Sequence, residues 1–322
     1  HDGDIKAHGL PFCPGHELSG IVVEAGTQVQ NFQPGDRVAV PFILSCGNCE
    51  YCHKGRASIC NKQQQPGFTQ FGSFAEYVQL PWADRNLRHI PEKVSFVQAA
   101  ALGCRFTTAY RAVLQQGGLL DSSNEEKSVA IFGCGGLGLS CIMIAVAAGS
   151  TAPIIAVDVS DKALAMARDL GATHVVKASK SNTKDSSQEV QRKVKNLTSG
   201  QGADISIDAA GFPSTCENAV HCTKPGGRMV QVGLPIGQIK PEIPMGAVAG
   251  KELELIGSHG FAAEDLPDLL QLVVDGKLDP ARLVQKEVSL EEGAQAIEDM
   301  DHGSPLGITV VTKFQTDFNS KL

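Results

Sequence analysis

The sequence predicts an α/β protein in which a doubly wound parallel sheet is inserted between two stretches of a β-rich, cysteine-bearing domain. Three observations carry this. Residues 106–257 alternate short apolar runs with helical patterns, as a parallel sheet covered on both faces requires. The first of these runs, Ser128-Val-Ala-Ile-Phe132, leads straight into Gly133-Cys134-Gly135-Gly136-Leu137-Gly138. Residues 1–105 are irregular and strand-rich, and they carry four closely spaced cysteines, Cys46, Cys49, Cys52 and Cys60.

The cysteine spacing is C-x2-C-x2-C-x7-C. Four thiolates on a short loop can wrap one Zn²⁺ tetrahedrally, and a site closed by four protein ligands is structural, because no position is left for water or substrate. Gly47, Asn48 and Gly55 allow the tight turns this needs. Four separate thiols or two disulfides are the alternatives, but unrelated cysteines rarely cluster this way.

The glycine run has the form G-x-G-x-x-G in a strand–turn–helix setting. The helical pattern extends through Ala148, the next strand is Pro153-Ile-Ile-Ala-Val157, and Asp158 stands at its end, about 20 residues beyond the glycines. Gly133, Gly135, Gly136 and Gly138 let a backbone approach a pyrophosphate, the helix N-terminus offers free N–H groups, and Asp158 accepts from ribose hydroxyls. A carboxylate there disfavours a 2′-phosphate, and no Arg follows in Val159-Ser160-Asp161-Lys162 to receive one, so NAD is expected over NADP, with Lys162 the one competing cation.

Composition narrows the classes. The chain has 322 residues, enough for two domains, and a net charge of −7 without a basic run, which argues against a nucleic-acid surface and against reading the cysteines as a DNA-binding finger. No apolar stretch approaches membrane-spanning length. The other six cysteines (13, 104, 134, 141, 216 and 222) are scattered, a pattern of reduced thiols in a cytoplasmic setting. The chain opens His1-Asp2-Gly3-Asp4, without Met, which implies a truncated start and leaves an upstream targeting segment open.

Along the chain, strands are expected at Ile21–Val23, Arg37–Val40 and Phe74–Leu80, with turns at Gly26 and Pro34-Gly35-Asp36. In the central part, a helix near Lys162–Leu170 and a strand near Thr173–Val176 precede a polar loop near Ser179–Ser187 and a helix near Gln188–Leu197. Strands Asp204–Asp208, Arg228–Val232 (closing on Gly233) and Leu253–Ile256 follow. The C-terminal part holds helices near Asp265–Val274 and Leu290–Met300, the turn Asp279-Pro280, the strand Ile308–Val311 and a fraying polar tail after Phe314.

Nearly the whole chain resembles the zinc-containing medium-chain alcohol dehydrogenases. The resemblance rests on Pro14-Gly15-His16-Glu17-Leu18-Ser19-Gly20, Gly35-Asp36-Arg37-Val38, the four-cysteine lobe, Gly72-Ser73-Phe74-Ala75-Glu76-Tyr77, Gly103-Cys104-Arg105-Phe106-Thr107-Thr108-Ala109 and the glycine fingerprint. It implies a GroES-like β-rich catalytic domain, residues 1–105 and 258–322, with a Rossmann domain, 106–257, inserted. It further implies reversible, zinc-dependent hydride transfer between an alcohol and NAD.

By motif, the resemblance makes His16 and Cys104 ligands of a catalytic zinc and Glu17 a nearby carboxylate, and it adds Thr108 and Gly233 to the cofactor-binding residues. A mixed N/S shell with an open fourth position suits a zinc that acidifies an alcohol. The family's first zinc ligand, a Cys, and its proton relay would lie upstream of residue 1, so this zinc site is expected to be incomplete and the chain impaired as an enzyme. Cys13 is an alternative sulfur, although Leu10, Pro11, Phe12 and Pro14 around it read as a packed extended segment. A non-catalytic dinucleotide-binding protein keeping only the structural zinc is the competing function. The expected substrate is a small or medium alcohol or its aldehyde or ketone, with Trp82, Phe71 and Phe74 as undiagnostic pocket candidates. The expected assembly is a homodimer or homotetramer, with no nucleic acid or membrane partner.

Overall fold

A computed structural model describes residues 11–121, 126–181, 183–235, 241–300 and 305–314. The opening His1-Asp2-Gly3-Asp4 and the tail after Phe314 lie outside these residues. The chain folds as two units, His1–Thr107 with Gly260–Leu322, and Thr108–His259.

The first unit begins with an antiparallel sheet in which β1 (Leu18–Ile21), β2 (Arg37–Val40) and β3 (Arg88–His89) lie in that order. β2 is central, and its Val38, Ala39 and Val40 are all buried. The expected strand Ile21–Val23 is displaced toward the N-terminus. The ladder runs from Leu18↔Val40 to Ile21↔Arg37, and Val22 then closes the end of the hairpin by bonding to Asp36 and Gly35, leaving Val23 exposed. No strand forms over Phe74–Leu80 among the described residues. Instead the Gly72, Ser73 and Phe74 N–H groups donate to the carbonyls of Cys13, Gly15 and Pro14, an irregular clasp whose residues Phe74 and Tyr77 are exposed.

The helix Phe96–Ala101 has no counterpart in the sequence reading. It starts on a reciprocal cap between Ser95 and Gln98 and continues into a wider π-helical turn, Leu102–Phe106. Such π-turns inside helices are frequent at functional sites, and Cys104 lies in this one.

The second unit is built on six parallel strands: β4 (Val129–Phe132), β5 (Ile154–Asp158), β6 (His174–Lys177), β7 (Ala203–Asp208), β8 (Thr223–Gln231) and β9 (Glu254–Gly257). Their order is β6-β5-β4-β7-β8-β9, so the winding reverses between β4 and β7. All four residues of β4 are buried. Ala130 and Phe132 join a core with Ile155, Val157 and Val176 that packs on Val190 and Val194 of the helix Lys184–Asn196 and on Cys216, Ala219 and Val220 of the helix Pro213–Cys222. The helix Gly136–Ala147 is buried along nearly its whole length.

Two differences from the sequence reading have local causes. The helix Lys184–Asn196 starts inside the expected polar loop, because Thr183 and Ser186 cap its first turn reciprocally and Asp185 meets the positive end of the helix dipole. The helix Pro213–Cys222, unmarked by strong apolar periodicity, starts on Pro213 at its first position, where a missing N–H does no harm.

The C-terminal part of the first unit contains the helix Leu266–Val274, a 3₁₀ turn Pro280–Leu283, β10 (Val284–Ser289), the helix Leu290–Asp299 and β11 (Ile308–Lys313). β10, which reads as polar in sequence, pairs in parallel with β11 and buries only Val288. Among the described residues no helix is long and apolar enough to cross a membrane.

Candidate active site and metal centres

The four cysteines converge. Cys46, Cys49, Cys52 and Cys60 bring their sulfurs within 4.8 Å of one another, and none is in a disulfide. S···S separations are 3.5 Å for Cys49–Cys52, 3.7 Å for Cys49–Cys60 and 3.5 Å for Cys46–Cys60. A tetrahedral zinc with Zn–S bonds of about 2.3 Å requires sulfurs about 3.8 Å apart, so the donor set fits the ion. Backbone N–H groups already point at the sulfurs: those of Cys46 and Lys62 reach Cys60 Sγ at 3.4 Å each. Backbone donation, from Asn48 and Cys52 respectively, holds the Cys46 and Cys49 thiols below their ordinary range, whereas burial pushes Cys60 up. Protons on four crowded sulfurs are what a cation replaces on binding.

The lobe is held by a residue that sequence reasoning missed. Asn86 is fully buried, and its Oδ1 accepts from Ser45 N at 2.8 Å while its Nδ2 donates to Ser45 O at 3.0 Å and to Trp82 O at 3.1 Å. One amide thus takes both backbone polar groups of the residue before Cys46. Trp82 precedes the short helix Ala83–Asn86 at φ 50°, a left-handed conformation that a bulky residue rarely takes. Arg85 adds an ion pair to Glu264. Asn86→Ala strands two buried backbone groups, at about 2–4 kcal/mol for the pair. The expected outcome is faster zinc release to a chromogenic chelator with the four cysteines intact. Release at the wild-type rate would show that Asn86 does not support the lobe.

The second candidate centre lies in the same unit. Glu17 Oε1 accepts from the backbone N–H groups of Cys104 at 3.2 Å and Arg105 at 3.1 Å, and its Oε2 lies 3.5 Å from Arg105 Nε. These bonds join the Gly15-His16-Glu17 segment to the π-turn 87 residues away. The approach is close enough that a Cβ at Gly103 would lie 2.9 Å from Glu17 Cα. His16 packs against the rings of Phe68 (4.9 Å between centroids) and Phe42 (5.8 Å). Its pKa is lowered, first by burial, against the opposing pull of Glu17 and with a further push from Arg105. Neutral imidazole, the metal-ligating form, is therefore favoured. Cys104 is half-buried. Among the described residues, His16, Glu17 and Cys104 do not form a set of three ligand atoms as tight as the four-cysteine group. Cys13 directs its thiol to the carbonyls of Phe74 at 3.4 Å and Gly72 at 3.6 Å. Phe71, Phe74 and Trp82 are all exposed.

In the second unit, the parallel register sets Phe132 beside Val157 and Asp208, and Asp208 beside Gln231. Gly133, Asp158, Ala209 and Val232 therefore stand on one carboxyl edge of the sheet, around the winding reversal, where open α/β sheets bind ligands. Asp158 Oδ2 accepts from Cys134 N at 2.6 Å and Oδ1 from Ser160 N at 2.7 Å, so the carboxylate is fixed against the glycine loop. A Cβ at Gly138 would collide with the Gly133 carbonyl, whereas one at Gly135 would meet only open space. The loop is thus tight where it packs and clear where a pyrophosphate would approach. Gly136 opens the helix, Thr108 is buried at the start of this unit, and Gly233 packs on Ala210 and Gly211.

Comparison with known proteins gives consistent matches. The zinc-binding dehydrogenase family pattern matches residues 136–275, and the alcohol dehydrogenase GroES-like domain pattern matches residues 1–92. Over 270 residues the chain is 34% identical to an alcohol dehydrogenase of Geobacillus stearothermophilus, spanning 84% of this chain and 74% of that one. Over 303 residues it is 34% identical to an NAD-dependent alcohol dehydrogenase of Sulfurisphaera tokodaii, spanning 94% and 82%. Among solved structures, the alcohol dehydrogenase TADH from Thermus sp. ATN1 superposes with a TM-score of 0.83 at 30% identity, covering 94% of this chain and 85% of that one.

Proposed function

This chain belongs to the zinc-containing medium-chain alcohol dehydrogenases, and from that premise we propose how its residues share the work of NAD-linked, zinc-dependent alcohol oxidation and the reverse reduction. His16 and Cys104 are ligands of the catalytic zinc, Cys46, Cys49, Cys52 and Cys60 hold the structural one, and Thr108, Gly133, Gly135, Gly136, Gly138, Asp158 and Gly233 bind NAD. The observation that carries the catalytic assignment is the Glu17 carboxylate bound to the Cys104 and Arg105 N–H groups, which brings a histidine segment and a cysteine turn together across the chain.

When bound, the zinc supplies Lewis acidity that lowers the pKa of an alcohol, and the nicotinamide accepts the hydride. The chain's own residues prepare this. Burial keeps His16 neutral and able to donate a lone pair. Glu17 fixes the backbone on which Cys104 sits, and its charge is balanced by Arg105 rather than left bare beside the ligands. Asp158, held by two N–H groups, presents a fixed acceptor to ribose hydroxyls.

The substrate is a small or medium primary or secondary alcohol. We assign a homodimer or homotetramer by family, and a cytoplasmic setting with which ten free cysteines agree. Zinc content and NAD reduction measured together on the full-length protein test the reading. Two zinc ions per chain with turnover of a simple alcohol support it. One zinc with no turnover would instead favour a dinucleotide-binding scaffold that keeps only the structural ion.

Cofactor choice follows from the same edge. Because Asp158 cannot swing away from the loop, a 2′-phosphate would meet its carboxylate at about 4 Å, a repulsion of a few kcal/mol at intermediate dielectric. NADPH is expected to bind about a hundredfold more weakly than NADH, with Asp158→Asn narrowing the gap. Equal affinities in matched salt would remove Asp158 from this role.

A further inference from the structure

The carboxyl edge of the second unit contains a buried charge to which the proposed chemistry gives no role. Asp208, at the end of β7, is fully buried and has no ion-pair partner among the described residues. Its Oδ1 accepts from Ala210 N and Gly211 N at 3.0 Å each, and its Oδ2 accepts from Gln231 Nε2 at 2.8 Å. Its carbonyl accepts from Val232 N at 3.1 Å and Gly233 N at 2.8 Å. A buried carboxylate without a cation is expensive unless hydrogen-bonded. Its carboxylate is thus tied to the loop that leaves β7 and to the last residue of β8, and its carbonyl to the loop that leaves β8.

Gln231 shows a related constraint. Its Nε2 gives its hydrogens to Asp208 and to Gly233 O, the latter at 2.7 Å, and its Oε1 is left buried without a partner. An unsatisfied buried acceptor in a native fold calls for an explanation. The explanation offered by the geometry is that both donors are needed where they are, on the Asp208 carboxylate and on the loop after β8.

The loop that Asp208 holds touches the fingerprint itself. A Cβ at Gly133 would lie 2.6 Å from Ala210 Cβ, and a Cβ at Gly233 would collide with Gly211 and Ala210. Gly133, Ala210, Gly211 and Gly233 therefore form one closely packed set across three strand ends, and the Asp208–Gln231 pair sets the spacing of two of them. We infer that Asp208 and Gln231 are a positioning pair for the dinucleotide site: the buried carboxylate and the amide lock the loops after β7 and β8 against the glycine turn at the spacing the cofactor requires. This rests on the assignment of that edge to NAD.

A swap of the two polarities tests it. Asp208→Asn sets a donor amide against Gln231 Nε2, and Gln231→Glu sets two carboxylates against each other. Each single variant is expected to raise the Kd for NADH about tenfold or more, the worth of one charge-assisted hydrogen bond. The number of sites should stay at one per chain, because the defect is in spacing. The double variant D208N/Q231E restores a donor facing an acceptor between the two side chains but leaves the Gly233 carbonyl without its donor, so it should recover part of the affinity lost in Gln231→Glu. A merely structural pair would lower the number of binding-competent chains and leave Kd unchanged among those that remain. Single variants that bind like wild type, or a double variant as weak as its weaker parent, overturn the inference. Failure of the wild-type protein to bind NADH would instead overturn the assignment of the edge to NAD.

Discussion

Cys49→Ser is expected to remove the structural zinc and to lower Tm by about 5 °C, the largest stability change among the substitutions proposed. The lobe has little else to hold it. Its buried cluster is the four cysteines with Ala57 and Ala262, and its only α-helix, Glu50–His53, is a single turn. Such a segment cannot form a stable core alone, so the metal's binding free energy is its folding free energy. Loss of one thiolate leaves three sulfurs, a weaker donor and backbone N–H groups aimed at a position with less negative charge. If this costs about 3–4 kcal/mol, the shift for a protein of this size follows from about 1.5 °C per kcal/mol. The lobe is not part of the proposed chemistry, so kcat per folded chain should change little. The measurement is zinc content and Tm on the same samples. Chelation that strips this zinc while leaving Tm unmoved would contradict the assignment.

The cysteine cluster could be read in the sequence because its spacing is local: the ligands lie within one short loop, and the chemistry needs little else. The parallel sheet was legible for a similar reason. β4 is apolar at every position and runs directly into the glycines, and a strand buried on both faces leaves that signature. What could not be read depends on partners distant in sequence. Asn86 looks like an ordinary surface residue until its amide is found on Ser45, 41 positions earlier. Asp208 reads as the polar end of a strand until Gln231, 23 positions later, is found against it.

The differences in secondary structure are of another kind. Phe74–Leu80 alternates as a strand does, but alternation cannot say whether a ladder partner is within reach, and among the described residues this segment forms a clasp instead. The helix Lys184–Asn196 starts earlier than its pattern suggests because a Thr–Ser cap looks like loop sequence. In both cases the deciding interaction is a hydrogen bond to a particular neighbour, which composition and periodicity do not record.

In the protein that carries both zinc ions, Cys104→Ser should abolish turnover while leaving cofactor binding intact. The proposed role of Cys104 is to hold the zinc that acidifies the alcohol, an effect of several kcal/mol on the barrier, so the variant's kcat should fall by about a thousandfold or more. Serine is close in size and keeps the backbone N–H that donates to Glu17, so the fold of the π-turn should survive and Tm should change little. Zinc should fall by one ion per chain, the ion remaining being that of the four-cysteine lobe, and NADH affinity should stay at the wild-type value because the glycine turn and Asp158 belong to the other unit. Glu17→Gln makes the finer comparison. Its amide oxygen can still accept from the Cys104 N–H, but the charge beside His16 and Arg105 is gone, so zinc should be retained with lower activity. A Cys104→Ser protein that keeps two zinc ions and oxidises alcohol at the wild-type rate would take Cys104 out of the metal shell, and the sulfur ligand would have to be sought elsewhere, first at Cys13.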